Sequence, residues 1–301
     1  MKILLFGSEG QIGWELRRSL SLLGEVVALS RHSGEACGDL GDTTGLVGTI
    51  RQARPGLIVN AAAYTAVDRA ETDRDQAYAI NATAVGALAE EAQRCGAWLI
   101  HYSTDYVFDG SGSRPWTEVD PTHPINWYGA TKLEGERLLR ERCERHVLLR
   151  TSWVYAGRGG NFARTMLRLA KERDEMKVVN DQIGAPTGAD LIADVTAHVI
   201  RAVMARPELA GLYHLSAVGE TSWLGYARLV LGWAERAGIV LRTKAEAIQA
   251  TPSSAFTSAA RRPLNSRLDT SRLCSAFALH LPPWQGGVER MLAESLSTDR
   301  P

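Results

Sequence analysis

Three glycines at the seam between the first two elements constrain this chain more than any other feature. Lys2–Phe6 is a short apolar run with strand character, and residues 11–23 carry Ile12, Leu16, Leu20 and Leu23 at helical spacing. Between them lies Gly7-Ser8-Glu9-Gly10-Gln11-Ile12-Gly13. Glycine lets the chain turn tightly and lets bare backbone approach a phosphate. The helix that follows offers free N–H groups and the positive end of its dipole to an anion. An ordinary glycine turn is the competing reading, and the strand-to-helix context weighs against it. The spacing is GxxGxxG, whereas the commoner dinucleotide fingerprint is GxGxxG. Gly7, Gly10, Gln11, Ile12 and Gly13 are the residues that such a loop sets against a pyrophosphate.

The rest of the first half repeats that rhythm. Glu25–Leu29, Leu57–Asn60, residues 98–102 and His146–Thr151 read as strands, and residues 77–95 and 126–143 as helices. Alternation of this kind predicts an α/β fold, a Rossmann-type doubly wound parallel sheet with helices on both faces. After Trp153 glycine and proline interrupt more often, while helical patterns continue over residues 162–171, Ala189–Ala205 and residues 222–237. Residues 1–152 are thus expected to form the dinucleotide-binding domain and residues 153–301 a smaller C-terminal substrate-binding lobe, with part of 189–215 returning to the main sheet.

Charge and composition exclude several classes. Lys plus Arg number 34 and Asp plus Glu 34, which lacks the basic excess of a nucleic-acid binder. No apolar stretch reaches membrane-spanning length. The apolar start is too short for a signal peptide and runs into the glycine loop, so a cytoplasmic protein is expected. Cys37, Cys95, Cys143 and Cys274 show no metal-ligand spacing and read as buried free thiols of a reducing compartment.

The second strand ends at Ser30-Arg31. An acid there would bond the adenosine ribose and favour NAD. A small hydroxyl and a cation stand in its place, and Arg31 can pair with a 2′-phosphate. NADPH is the favoured cofactor and NADH the alternative; a solvated surface Arg is the bland reading.

Tyr128-Gly129-Ala130-Thr131-Lys132 carries the chemistry. Tyr and Lys four apart on a helix share one face. A free phenol titrates near ~10, and a neighbouring ammonium stabilises the phenolate and lowers that value. The pair can then protonate a carbonyl oxygen while hydride reaches its carbon. Tyr102-Ser103-Thr104-Asp105-Tyr106, just after a strand, adds a hydroxyl for the same carbonyl. A lone YxxxK is common by chance; its combination with the glycine loop and the hydroxyl strand end is not. Asn81 stands on a helix where a structural role is as good a reading as a functional one. His101 and His214 flank strands and read as core or surface residues, and Arg140–Arg142 as a solvated helix end.

Glycine loop, hydroxyl strand end and YxxxK occur here in the order of extended short-chain dehydrogenases. The segments His101-Tyr102-Ser103-Thr104-Asp105-Tyr106-Val107-Phe108-Asp109-Gly110, Arg150-Thr151-Ser152-Trp153-Val154-Tyr155-Ala156-Gly157, Asn180-Asp181-Gln182-Ile183-Gly184-Ala185-Pro186-Thr187 and Arg261-Arg262-Pro263 narrow the match. In them the chain resembles the dTDP-4-dehydrorhamnose reductases over nearly its whole length. The resemblance implies NAD(P)H-dependent reduction of the C4 keto group of dTDP-4-dehydro-6-deoxy-L-mannose to dTDP-L-rhamnose, for bacterial surface polysaccharide such as O-antigen. It makes Tyr128 the proton donor, Lys132 its helper and the holder of the nicotinamide ribose, and Thr104 the group that polarises the keto oxygen. It sets Asp39 and Leu40 beside the adenine, and Ala62, Ala63, Tyr64, Thr65 and Tyr102 along the cofactor. Asp105, Tyr106 and Trp153 match positions that contact the sugar nucleotide, although an indole such as Trp153 also suits a core.

The resemblance further implies a homodimer bridged by Mg²⁺ through Glu15, Asp190 and Glu294, where Asp190 is one methylene shorter than the Glu expected. Oxygen ligands suit that ion, but scattered carboxylates are usually just solvated. No nucleic-acid or membrane partner is implied. Three other readings compete. A dehydratase of the superfamily needs Asp-Glu after the catalytic Thr, where this chain has Asp105-Tyr106. A 4-epimerase would keep NAD tightly bound and regenerate it. A non-catalytic regulatory subunit, like that of methionine adenosyltransferase, need not keep the acid and its helper.

Overall fold

The protein is described by a computed structural model over residues 1–34 and 36–297. Five strands and four helices build its first half: β1 (Lys2–Phe6), α1 (Gln11–Leu20), β2 (Glu25–Leu29), α2 (Thr43–Ala53), β3 (Leu57–Asn60), α3 (Ala84–Cys95), β4 (Trp98–Thr104), α4 (Trp127–Arg142) and β5 (His146–Thr151). The second half contributes α5 (Phe162–Glu172), α6 (Ala189–Ala205), β6 (Gly211–His214), α7 (Trp223–Arg236), α8 (Ser271–Phe277) and α9 (Trp284–Ser297). The six strands form one parallel sheet in the order β6-β5-β4-β3-β1-β2.

Both faces of this sheet are covered, which is why its strands read as nearly continuous apolar runs. Along β1 the side chains alternate. Ile3 and Leu5 pack with Leu16 and Leu20 of α1, Ile192 and Val199 of α6, and Leu273 and Phe277 of α8. Leu4 and Phe6 face the other way, onto Leu46 and Ile50 of α2, Leu88 of α3 and Leu139 of α4. A separate apolar core joins Met166 and Leu167 of α5, Val230 and Leu231 of α7, and Val288 and Met291 of α9. Both α6 and α8 therefore cover the sheet, and β6 extends it, so the lobe is discontinuous in sequence. The direction of strand order reverses at β1, between β2 and β3, and this is where open α/β sheets leave a crevice beyond the carboxyl ends of their strands.

Helix α2 is absent from the sequence reading. Its Thr43-Thr44-Gly45-Leu46-Val47-Gly48-Thr49 is poor in helix formers. Burial of Leu46 and Ile50, with the Asp42 carboxylate accepting from Gly45 N–H at 2.9 Å, outweighs that propensity. The expected single helix over residues 77–95 is interrupted by a wide turn at Ala79–Thr83 that joins Arg74–Tyr78 to α3. The cysteines are free, but only Cys143 is buried and Cys95 is exposed, which corrects the expectation for the latter. No helix among the described residues is long and apolar enough to cross a membrane.

Candidate active site

The glycine loop is shaped by close backbone approaches. Gly7 has φ +79°, and a Cβ there would lie 2.6 Å from the amide nitrogen of Ala62 at the end of β3. A Cβ on Gly13 would lie 2.0 Å from the Gly7 carbonyl oxygen, so the third glycine lets α1 pack against its own loop. Gly10 is the N-cap of α1 and contributes no side chain, leaving the first N–H groups of the helix without a capping partner. Together they frame a cavity of about 850 Å³ across the carboxyl ends of the strands.

Its lateral order follows the strand order. After β2 come Ser30, Arg31, Asp39 and Leu40; after β1 Gly7, Gly10, Gln11 and Ile12; after β3 Ala62, Ala63 and Thr65. At and after β4 lie Tyr102, Thr104, Asp105 and Tyr106, faced by Tyr128 and Lys132 of α4, and after β5 lies Trp153. Several buried polar atoms on this lining have no hydrogen-bond partner among the described residues: Gln11 Oε1, Ser103 Oγ, Thr151 Oγ1 and Ser152 Oγ. Buried polar atoms are almost always satisfied, so the lining suits a polar ligand. An elongated cleft with bare helix-terminal amides at one strand end and hydroxyls at another fits a nicotinamide dinucleotide beside a second, polar molecule.

Tyr128 and Lys132 sit on the first turns of α4, whose N-cap Asn126 accepts from Gly129 N–H at 2.8 Å. Glycine is required at 129, because a Cβ would lie 2.2 Å from the Tyr106 carbonyl oxygen. The Tyr128 ring meets that of Tyr106 edge to face at 5.5 Å. Burial pushes the Tyr128 phenol up to about 12, partly offset by a hydrogen bond with Thr104. The expected lowering by Lys132 is absent. The Lys132 ammonium end is turned to the Tyr102 carbonyl at 2.7 Å and to His101 at 3.2 Å, and burial lowers it to about 8. Asn81 lies in the wide turn before α3. Its side chain accepts from Tyr64 N–H at 2.9 Å and donates to the Tyr64 carbonyl and to Thr131 Oγ1, both at 3.1 Å.

On the lobe side, Trp153 has φ +46°, an uncommon conformation for a bulky residue, and stacks on Trp223 at 3.7 Å with 10° between the rings. Gly184 makes room for this, since a Cβ there would meet the Trp153 indole at 2.7 Å. Trp223 lines the cavity and the sequence reading missed it. Its position at the start of α7, with its indole N–H donating to Gln182 at 3.0 Å, depends on a fold contact that spacing does not reveal. Thr151 and Ser152, inside the segment Arg150–Gly157, line the same region.

Asp105 is buried, and desolvation raises its carboxyl to about 6, against the lowering effect of Ser266 and Thr104. Thr104 Oγ1 donates to Asp105 Oδ1 at 3.2 Å. Above pH 6 the carboxylate accepts hydrogen bonds; below it the group is protonated and loses that capacity. The expected result is a kcat/KM for the molecule bound beside Asp105 that falls as pH drops through about 6, and a variant Asp105→Asn without that acidic limb. An acidic limb retained in the variant would assign it to another group.

Some expected site residues lie elsewhere. Gly13 and Tyr64 do not line the cavity: Gly13 serves helix packing, and the Tyr64 phenol donates to Asp73 at 2.9 Å. Tyr102 reaches the cavity, but its phenol bonds Thr196 of α6 at 2.8 Å, leaving its backbone for the site. Of the carboxylates expected to bridge two chains through Mg²⁺, Asp190 and Glu294 both pair with Arg290, and Glu15 lies 3.8 Å from Arg18.

A Rossmann-type sheet, a glycine loop and a Tyr-Lys-Thr group on one cavity define a nicotinamide-dependent oxidoreductase of the extended short-chain dehydrogenase type. Residues 1–297 match the family described as RmlD substrate binding domain, and the chain belongs to that family. It is 56% identical over 298 residues to a dTDP-4-dehydrorhamnose reductase of Escherichia coli strain K12, covering 99% of each chain. Among solved structures it is similar to a dTDP-4-dehydrorhamnose reductase of Clostridium acetobutylicum, with TM-score 0.87, 32% identity and 98% and 99% of the two chains covered. The Bacillus anthracis dTDP-4-dehydrorhamnose reductase in complex with NADP gives TM-score 0.85 and 33% identity, with 97% and 99% covered.

Proposed function

We propose that this protein reduces the C4 keto group of dTDP-4-dehydro-6-deoxy-L-mannose to dTDP-L-rhamnose with NADPH, for bacterial surface polysaccharide. The observation that carries this reading is the meeting of Tyr128, Thr104 and Lys132 in the cavity that the glycine loop opens. The loop amides at Gln11 and Ile12 hold the pyrophosphate, and Lys132 the ribose nearest the reaction. The bound dihydronicotinamide supplies the hydride. Tyr128 keeps its proton at neutral pH, because burial pushes its phenol up to about 12, and gives it to the carbonyl oxygen as negative charge develops there. Thr104 turns its one hydroxyl hydrogen from Asp105 to the same oxygen, and Asp105, Tyr106 and the Trp153–Trp223 stack hold the sugar nucleotide and exclude water. The test is NADPH oxidation by purified protein given that keto sugar. Accumulation of dTDP-L-rhamnose supports the reading; NADPH binding without turnover defeats it.

Arg31 carries the cofactor preference. Its guanidinium is exposed and lies 4.0 Å from Asp39, free to turn to a 2′-phosphate. Hydrogen bonds to charged groups contribute ~1.5–3 kcal/mol, and exposure puts this one at the lower end. Arg31→Ala is expected to raise the KM for NADPH about tenfold while leaving that for NADH unchanged. Equal efficiency with both cofactors in the unaltered protein would remove the basis for this assignment.

A further inference from the structure

Tyr128 stands where a helix is least able to hold itself. The first N–H groups of an α-helix have no carbonyl one turn behind them. In α4 the first intrahelical bond is the one that Ala130 N–H donates to the Asn126 carbonyl, at 3.1 Å. Trp127, Tyr128 and Gly129 precede it, so the place of the phenol depends on caps. Lys132 lies in the second turn, within the helix's own ladder. Two side chains hold the first turn. Asn126 accepts from Gly129 N–H at 2.8 Å, and the Glu71 carboxylate accepts from Trp127 N–H at 2.7 Å. Asn126 is the local cap. Glu71 arrives from the segment that follows β3, and a carboxylate suits the positive end of a helix.

The same segment grips Trp127 a second time. The indole N–H donates to the Arg74 carbonyl at 3.1 Å, and the Arg74 guanidinium lies 4.7 Å from the ring centre and 3.7 Å from Glu71. The segment is itself fixed. Tyr64, at its start, bonds the Asn81 side chain through both its backbone N–H and its carbonyl, and its phenol donates to Asp73 at 2.9 Å. Asn81 also donates to Thr131 Oγ1, which donates in turn to the Tyr128 carbonyl at 2.9 Å. Between these anchors Thr65 and Val67 line the cavity. One wall of the cavity and the start of the catalytic helix are thus braced against each other.

We propose that Glu71 is a positioning residue: by capping Trp127 it fixes the first turn of α4 and holds the Tyr128 hydroxyl at its working distance from the substrate carbonyl. The inference rests on the reading of Tyr128 as the proton donor. Proton transfer from a placed acid depends steeply on geometry, and a misplacement of about 1 Å can cost about 100-fold in rate. Asn126 alone satisfies only Gly129, so without Glu71 the residue next to Tyr128 loses its anchor. The second turn stays in place. Lys132 keeps the Tyr102 carbonyl at 2.7 Å, and the cofactor keeps its ribose partner. The effect therefore falls on kcat and not on cofactor binding.

Glu71→Ala and Glu71→Gln test this. Alanine removes the acceptor, whereas glutamine keeps an oxygen for Trp127 N–H without the charge. Glu71→Ala is expected to lower kcat by about 10–100-fold with the Kd for NADPH unchanged, and Glu71→Gln to stay within a few-fold of the unaltered protein. Added to Tyr128→Phe, Glu71→Ala should cost nothing further in single-turnover rate, since the hydroxyl it places is gone. An unchanged kcat in Glu71→Ala, a glutamine variant as slow as the alanine one, weakened NADPH binding, or a further loss on the Tyr128→Phe background overturns the proposal. Should Glu71→Ala not fold, Glu71→Asp, shorter by one methylene, draws the carboxylate back from Trp127 N–H and is read the same way. Amide hydrogen exchange adds a readout independent of turnover. In Glu71→Ala the Trp127 N–H is expected to exchange faster while that of Glu136, further along α4, is unmoved. Unchanged exchange at Trp127 overturns the proposal whether or not any sugar is reduced. Faster exchange upholds the cap even in a protein without turnover, and it is then the reading of the reaction that fails.

Discussion

Replacing Tyr128 with Phe is expected to lower kcat by about 10²–10⁴-fold, the range a positioned general acid contributes, with NADPH binding unchanged. The substitution removes one oxygen. The ring keeps its edge-to-face contact with Tyr106 at 5.5 Å, and α4 keeps its Asn126 cap. Lys132 is held by the Tyr102 carbonyl and His101, so the cofactor ribose keeps its partner. What disappears is the proton poised for the carbonyl oxygen. Neither neighbour replaces it: the Thr104 hydroxyl is too weak an acid, and Asp105, with a carboxyl near 6, is ionised at neutral pH. Stopped-flow measurement of NADPH oxidation alongside NADPH titration separates the two effects. Turnover within a few-fold of the unaltered protein would mean that another group, or water, delivers the proton.

The elements legible in the sequence were those specified by local pattern. The glycine loop announced its own turn. The strands showed as apolar runs because both faces of a parallel sheet are buried, and YxxxK placed Tyr128 and Lys132 on one helix face. Features made by the register of distant segments were not legible. Trp223 reaches the cavity only because α7 packs beside the turn that follows β5. His101 reads in the sequence as a core or surface residue, and only the pairing of β3 with β4 sets Asn60 beside it. Helix α2 was hidden by glycines and β-branched residues that its packing outweighs. Glu15, Asp190 and Glu294, which only the resemblance singles out, carry no spacing signal, and within the chain each has an arginine partner.

The largest effect on stability is expected at Glu136, whose partner on a distant strand no sequence spacing reveals. Glu136 is fully buried and Arg150 is 2% exposed. Their double hydrogen bond ties α4 to β5, one turn beyond Lys132. Taking two charges out of water is costly, and their mutual attraction recovers that cost only while both are present. Glu136→Gln leaves the guanidinium buried with no counter-charge. Its remaining contacts offer little: Arg150 Nη1 has no hydrogen-bond partner among the described residues, the Phe108 ring lies 5.1 Å from the guanidinium, and His214 is kept neutral by burial and by the same arginine. The variant should therefore unfold at lower denaturant, with a loss of about 3–5 kcal/mol. The double variant Glu136→Leu with Arg150→Met removes both charges at similar volume and should recover most of that loss. Equal denaturation midpoints for Glu136→Gln and the unaltered protein would show that the pair is not a buried ion pair. Recovery of stability in the double variant without recovery of activity would show that this bond also sets the position of α4, and with it the distance from Tyr128 to the substrate carbonyl.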